Sequence, residues 1–154
     1  MDITELFRGI YLFQDLPDEE LALVSDITAE RDFSAGEVVF KEGDVGDAFY
    51  AVLEGRVRIS KQVVGVGEEA LAILDQGSYF GEMALIDDFP RSASAIAQTD
   101  CRILMMDKAD FSRLLSSHKD LAYRLLWVFC RTLSQRLRET NEKISGLFAI
   151  ARGF

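Results

Sequence analysis

Proline is scarce in this chain, with Pro17 and Pro90 alone among 154 residues. Nothing after Pro90 therefore forbids a long helix, since proline is what most reliably breaks one. Cysteine is as rare, at Cys101 and Cys130. The wide spacing argues against a disulfide framework or a zinc motif, and a reducing cytoplasm is the compartment expected. Both thiols are expected to pack as small apolar side chains. Histidine occurs once, as His118, between Ser117 and Lys119, where a polar helix face is expected. A jelly-roll metal enzyme needs several histidine or carboxylate ligands on neighbouring strands, and the strand-like segments here hold no histidine. A nucleophile elbow and a P-loop are missing too, so no enzyme, metal or cofactor is expected. No apolar run approaches the bilayer-spanning length of about 20 residues, so no membrane association is expected. The opening MDITELF carries acids where a secretory signal would be basic.

Positive charge is also short. Lysine and arginine number 17 against 26 acids, and the net charge of −9 argues against nucleic acid as a direct partner. The shortfall is uneven: residues 1–101 carry 7 basic and 21 acidic side chains, whereas residues 102–154 carry 10 and 5. A positive C-terminal segment on a negative body fits helix-to-body contacts, an acidic partner, or simply a solvated helix face.

With 49% hydrophobic and 28% charged residues, the chain reads as one globular domain. Residues 1–30 read as helices, with Pro17 near a helix start and acids directly after it. Residues 31–107 change character. EVVFK, AFYAVLEG, RVRISKQVV, ALAILD, SASAIAQ and CRILMMD are short strand-like runs between glycine or acidic turns, with Gly65 and Gly67 at a hairpin tip. The expected fold is α+β: a β-roll of the jelly-roll kind with N-terminal helices and a long C-terminal helix. Residues 108–154 supply that end, as a short amphipathic helix and a long one from about Asp120 to Gly146. On the long helix Cys130, Leu133, Leu137, Thr140, Ile144, Leu147 and Ala151 alternate spacings of three and four. This is the pattern of a two-stranded coiled coil, so a homodimer is expected; the competing reading packs the stripe on the chain's own roll.

One stretch carries most of the chemistry, Phe80 to Ala97, FGEMALIDDFPRSASAIA. Gly81 lets backbone approach a ligand closely. Glu82 to Ile86 reads as a short helix whose first N–H groups can face an anion. Pro90 stops it, and Arg91 and Ser92 add a guanidinium and a hydroxyl suited to phosphate. Glu82 is the exception among these anion-seeking groups. It suits a sugar hydroxyl instead, and phosphate donors beside a hydroxyl acceptor suggest a nucleotide.

This stretch resembles the phosphate-binding cassette of the cyclic nucleotide-binding domain family, which includes bacterial catabolite-activator-type regulators, kinase regulatory subunits and gated channels. The pattern F-G-E-(L/M)-A-L, a short loop, then P-R-(S/T/A)-A is matched by Phe80, Gly81, Glu82, Met83, Ala84, Leu85, Pro90, Arg91, Ser92 and Ala93. Upstream, Gly36, Gly43, Gly46 and Gly55 stand where the family turns, and the likeness runs from about Tyr11 to about Gly146.

The resemblance implies a cytoplasmic, bacterial sensor of a 3′,5′-cyclic purine nucleotide. Arg91 takes the phosphate charge, backbone N–H groups of Gly81, Glu82, Met83 and Ala84 with the Ser92 hydroxyl hold its oxygens, and Glu82 takes the ribose 2′-OH. Serine after the arginine favours cAMP, with cGMP the weaker ligand. The relatives' RRL-x-x-T-S-EK is matched by QRLRETNEK, which puts Thr140 and Asn141 at base-contacting positions and Arg136 one turn earlier. Asn141 departs from the usual serine. Signalling is implied to run from cassette tightening through Leu85 to the helices after Lys108. Two alternatives stand: the sensing half of a transcription regulator whose DNA-binding domain lies outside this sequence, and a coiled-coil scaffold with a silent pocket.

Overall fold

Pro17 presets the start of a helix, and Asp18, Glu19 and Glu20 meet the positive end of its dipole. That helix, α2 (Asp18–Asp26), follows α1 (Ile3–Arg8), and together they bury Leu6, Phe7, Leu21 and Val24. The computed structural model describes residues 1–153; the expected C-terminal segment therefore includes one residue, Phe154, outside the described residues.

The chain then becomes extended. Its strands are β1 (Thr28–Phe33), β2 (Val38–Phe40), β3 (Ala48–Glu54), β4 (Val57–Val63), β5 (Gly67–Leu74), β6 (Tyr79–Phe80), β7 (Ser94–Ala97) and β8 (Cys101–Asp107). They form two antiparallel four-stranded sheets, ordered β1-β8-β3-β6 and β2-β7-β4-β5. Helices plus antiparallel sheets in a roll are the α+β fold expected. Two strands, β1 and the two-residue β6, had no clear signal. β1 is charged and buries only Phe33, and its pairing with β8, from Thr28↔Met106 to Phe33↔Cys101, starts the roll at Thr28 rather than residue 31.

β3 shows why this fold closes. Ala48, Tyr50 and Val52 face the second sheet, meeting Val57, Ala95 and Ala97, whereas Phe49, Ala51 and Leu53 face the helices, meeting Phe7, Phe13 and Phe111. A strand covered on both faces loses the apolar–polar alternation of a half-exposed one. The first sheet is thus the middle layer, with one core on each side.

Asp107 caps α3 (Lys108–Ser117), accepting the Ala109 N–H at 3.4 Å. α4 (Lys119–Ala151) follows and buries Leu121, Leu125 and Phe129 against the body. It runs five residues past the expected stop at Gly146, because one glycine costs a helix only about 1 kcal/mol. Beyond Phe129 only Thr132 is even half-buried. The heptad stripe therefore does not pack on the chain's own roll, and it reaches back through Leu126 to Tyr123 in the same three-four spacing. Cys101 is buried as expected; Cys130 is exposed, because it sits on that stripe and not on the body-facing one. His118 is exposed at the α3–α4 junction. No helix among the described residues is long and apolar enough to cross a membrane.

Candidate ligand site

The site grows out of the turn after β6. Gly81 has φ 77°, and a side chain there would meet Arg91 Nη1 at 2.6 Å and the Ala48 carbonyl at 3.2 Å. Both the backbone angle and the close approach call for glycine. The short helical run expected from Glu82 to Ile86 forms as a single 3₁₀ turn over Glu82–Leu85. The Ala84 N–H closes it onto the Gly81 carbonyl at 3.2 Å, so one of the four amides expected to face a ligand is already engaged.

Arg91 is locked in place from both ends. Its N–H donates to the Asp44 carbonyl at 2.7 Å, and its own carbonyl accepts the Gly43 N–H at 2.8 Å. The side chain turns inward and is only 8% exposed. Nη2 donates to the Ala48 carbonyl at 2.6 Å, and the guanidinium lies 4.2 Å over the Phe40 ring and 5.7 Å from that of Tyr50. Nε is buried without a partner, and among the described residues no carboxylate pairs with this arginine. Burial pulls its pKa below the ordinary arginine value, opposed by Tyr50, Asp47 and Asp44. Arginine nonetheless stays charged in proteins. A buried cation held by one carbonyl and two aromatic faces is a cation short of an anion.

The gap in front of it is a cavity of about 420 Å³, within the range of small-molecule sites. Phe40, Ile59, Phe80 and Phe89 make apolar wall, and Gly81, Glu82, Met83, Ala84, Arg91 and Ser92 line the remainder. Gly81, Glu82, Met83, Ala84, Arg91 and Ser92 thus meet at one cavity, whereas Leu85 of the same pattern packs into the core. Thr140 and Asn141 do not reach it within this chain: both are exposed on α4, and the Thr140 hydroxyl donates to the Arg136 carbonyl at 2.9 Å. Of the apolar wall, Phe40, Ile59 and Phe89 escaped sequence reasoning, as did the Ala48 carbonyl, since nothing in the local sequence marks which residues will face a cavity. Gly46 carried a faint signal: a Cβ there would stand 3.0 Å from that of Ala84, so the glycine lets the neighbouring turn close.

Glu82 makes a second connection. Its carboxylate, on a side chain 14% exposed, accepts from Arg136 Nη2 at 2.8 Å and ties the turn to α4. That bond raises the Arg136 pKa. Tyr11 and Tyr79 flank the pair with rings 5.6 Å apart. Burial, helped by Glu82, pushes the Tyr11 hydroxyl up to about 12, and that oxygen has no partner. A further pair, Arg124 with Glu20, joins α4 to α2, so helix-to-body contacts do use the uneven charge. No cluster of metal-ligating side chains occurs among the described residues.

Fold and site together describe a β-roll with an uncompensated buried arginine at the mouth of an apolar cavity. The model of the cyclic nucleotide-binding domain matches residues 30–118, and the chain belongs to that family. It is 36% identical over 134 residues to the cyclic AMP receptor protein of Thermus thermophilus, covering 87% of this chain and 60% of that protein. It is 30% identical over 145 residues to a CRP-like cAMP-activated global transcriptional regulator of Mycobacterium tuberculosis, covering 94% of this chain and 63% of that one. Among solved structures, the N-terminal domain of a transcriptional regulator from Streptomyces coelicolor superposes with a TM-score of 0.79 at 31% identity, covering 90% of this chain and 94% of that domain. The chain spans about three fifths of the length of these curated relatives.

Proposed function

We propose that this chain binds cAMP in the cavity before Arg91 and signals by shifting α4. The observation that carries the reading is Arg91 itself, buried, charged and without a carboxylate. A cyclic phosphodiester brings the single negative charge that the site lacks. The apolar wall of Phe40, Ile59, Phe80 and Phe89 suits the uncharged remainder of a purine nucleotide. Glu82 spends one oxygen on Arg136, and a carboxylate has lone pairs to spare for a ribose 2′-OH. Ser92 and the names of the relatives favour cAMP over cGMP.

Signalling follows from where the cavity wall is tied. Leu85, on the 3₁₀ turn, is buried in the same core as Phe111, Leu114 and Leu125, so a change in the turn is felt by α3 and α4. The ligand shifts α4 only by as much as it binds one arrangement better than the other. The exposed α4 stripe supports a homodimer, in which Thr140 and Asn141 would lie near the paired helices. The likeness to a longer cAMP-activated transcriptional regulator favours a second reading of the same chemistry, as the sensing part of such a regulator.

Calorimetric titration tests the site. Wild type should bind cAMP, and cGMP more weakly. Arg91→Ala should lose on the order of 2–5 kcal/mol, the cost of removing one partner of a buried charge pair. Equal binding by the two proteins would overturn the phosphate assignment.

A further inference from the structure

We infer that Lys108 is a positioning residue for the ligand, clamping the outer wall of the cavity, Asp87–Pro90, to the first turn of α3. The inference rests on the cyclic nucleotide reading and names a part that the cassette pattern does not contain.

Lys108 is out of place by the rules of its own helix. It is the first residue of α3, where a cation opposes the helix dipole, and Asp107 already supplies the cap. A residue that breaks a local rule often answers to something beyond its element. Here the side chain, 25% exposed, folds back over the cassette loop. Its Nζ donates to the Asp87 carbonyl and to the Asp88 carboxylate, the latter at 2.7 Å. Its backbone N–H donates to the Asp47 carbonyl at 2.9 Å, next to the Ala48 carbonyl that holds Arg91. One residue therefore touches both the loop and the strand end that flank the arginine.

The loop needs such a clamp for two reasons. First, Asp87 and Phe89 line the cavity, yet Phe89 is 76% exposed and is steadied by the Asp87 carboxylate accepting its N–H at 3.3 Å. Lys108 fixes Asp87 and so, through it, the aromatic wall. Second, Asp87 and Asp88 are two negative charges beside a site for an anion. The Lys108 ammonium, paired with the Asp88 carboxylate, offsets one of those two charges. The Asp88 carboxyl sits below its ordinary pKa chiefly because of the hydrogen bond from Lys108. The clamp also gives the loop a polar link to α3, next to the apolar one through Leu85.

The test uses Lys108→Met, Lys108→Arg, Asp88→Asn and the Lys108→Met/Asp88→Asn pair. In the nucleotide-free protein, amide exchange over residues 86–89 should quicken in Lys108→Met, fall between in Asp88→Asn, and return to the wild-type rate in Lys108→Arg. Affinity for cAMP should fall roughly three- to tenfold in Lys108→Met, recover in Lys108→Arg, and show non-additivity in the pair. The thermal midpoint of Lys108→Met should not drop, since the clash with the dipole is removed as well. Wild-type protein that fails to bind cAMP would defeat the nucleotide reading, while the exchange rates would still decide the clamp. Unchanged exchange and unchanged affinity in Lys108→Met, or a weakening that Lys108→Arg does not rescue, would overturn it. Asp88 is fully exposed, so Asp88→Asn folds normally and reports on the clamp even if Lys108→Met does not.

Discussion

Glu82 answers to two partners. In this structure its carboxylate holds Arg136 of α4, and in the proposed complex it also accepts the ribose 2′-OH. These roles predict different outcomes. Near a phosphate, removing a negative charge should by itself help an anion bind. If Glu82 takes the hydroxyl, Glu82→Gln should instead weaken cAMP, since a charge-assisted bond worth roughly 1.5–3 kcal/mol becomes a neutral one. The 2′-deoxy analogue should bind wild type poorly and lose little more on mutation. Titrating both ligands against both proteins measures the coupling. Coupling near zero would leave Glu82 with the structural role alone, as the anchor of Arg136.

At the scale of the element, α4 carries two stripes with different fates. Leu121, Leu125 and Phe129 are buried on the body, while the stripe through Leu133, Leu137, Ile144 and Leu147 is exposed, these four at 41%, 62%, 45% and 66%. In the proposed homodimer, this bare apolar heptad face is the one that would meet a second helix. Leu137→Glu should give monomers by sedimentation, because each chain would place a charge in an apolar seam. The exposed Cys130 offers an independent check, as it lies on the same stripe and Cys101 is buried. Mild oxidation with copper–phenanthroline should link two copies through Cys130 in wild type and not in Leu137→Glu. A wild type that sediments as a monomer at micromolar concentration would refute the dimer.

For the whole molecule, buried phenols set an upper pH limit. Tyr11, Tyr50 and Tyr79 all have pKa values raised chiefly by burial, Tyr11 from 10.0 to about 12. A folded-state pKa above the unfolded one means that the folded chain holds its proton longer. This contribution is complete below pH 10 and is lost as pH climbs from there towards about 12. Denaturant midpoints should therefore fall as pH rises from 10.0 to about 12. Tyr11→Phe should soften that fall, leaving the share of Tyr50 and Tyr79. At neutral pH the same change should cost nothing or stabilise slightly, since it removes a buried hydroxyl without a partner. A slope unchanged by Tyr11→Phe would count against this account.

The sequence by itself determined the local pieces of this protein. Apolar runs between glycines marked most of the strands, the scarcity of proline allowed α4, and the order Gly81, Glu82, Arg91, Ser92 marked the cassette, because short-range backbone demands are written in adjacent residues. Only the tertiary structure decided what those pieces face. β1 became a strand through its long-range pairing with β8, against its own charged composition. Phe40 and Phe89 became cavity wall, and Arg136 and Lys108 became the partners of Glu82 and of the cassette loop. These contacts join residues far apart in the chain, and the periodicity of one segment carries no record of which distant segment will cover it.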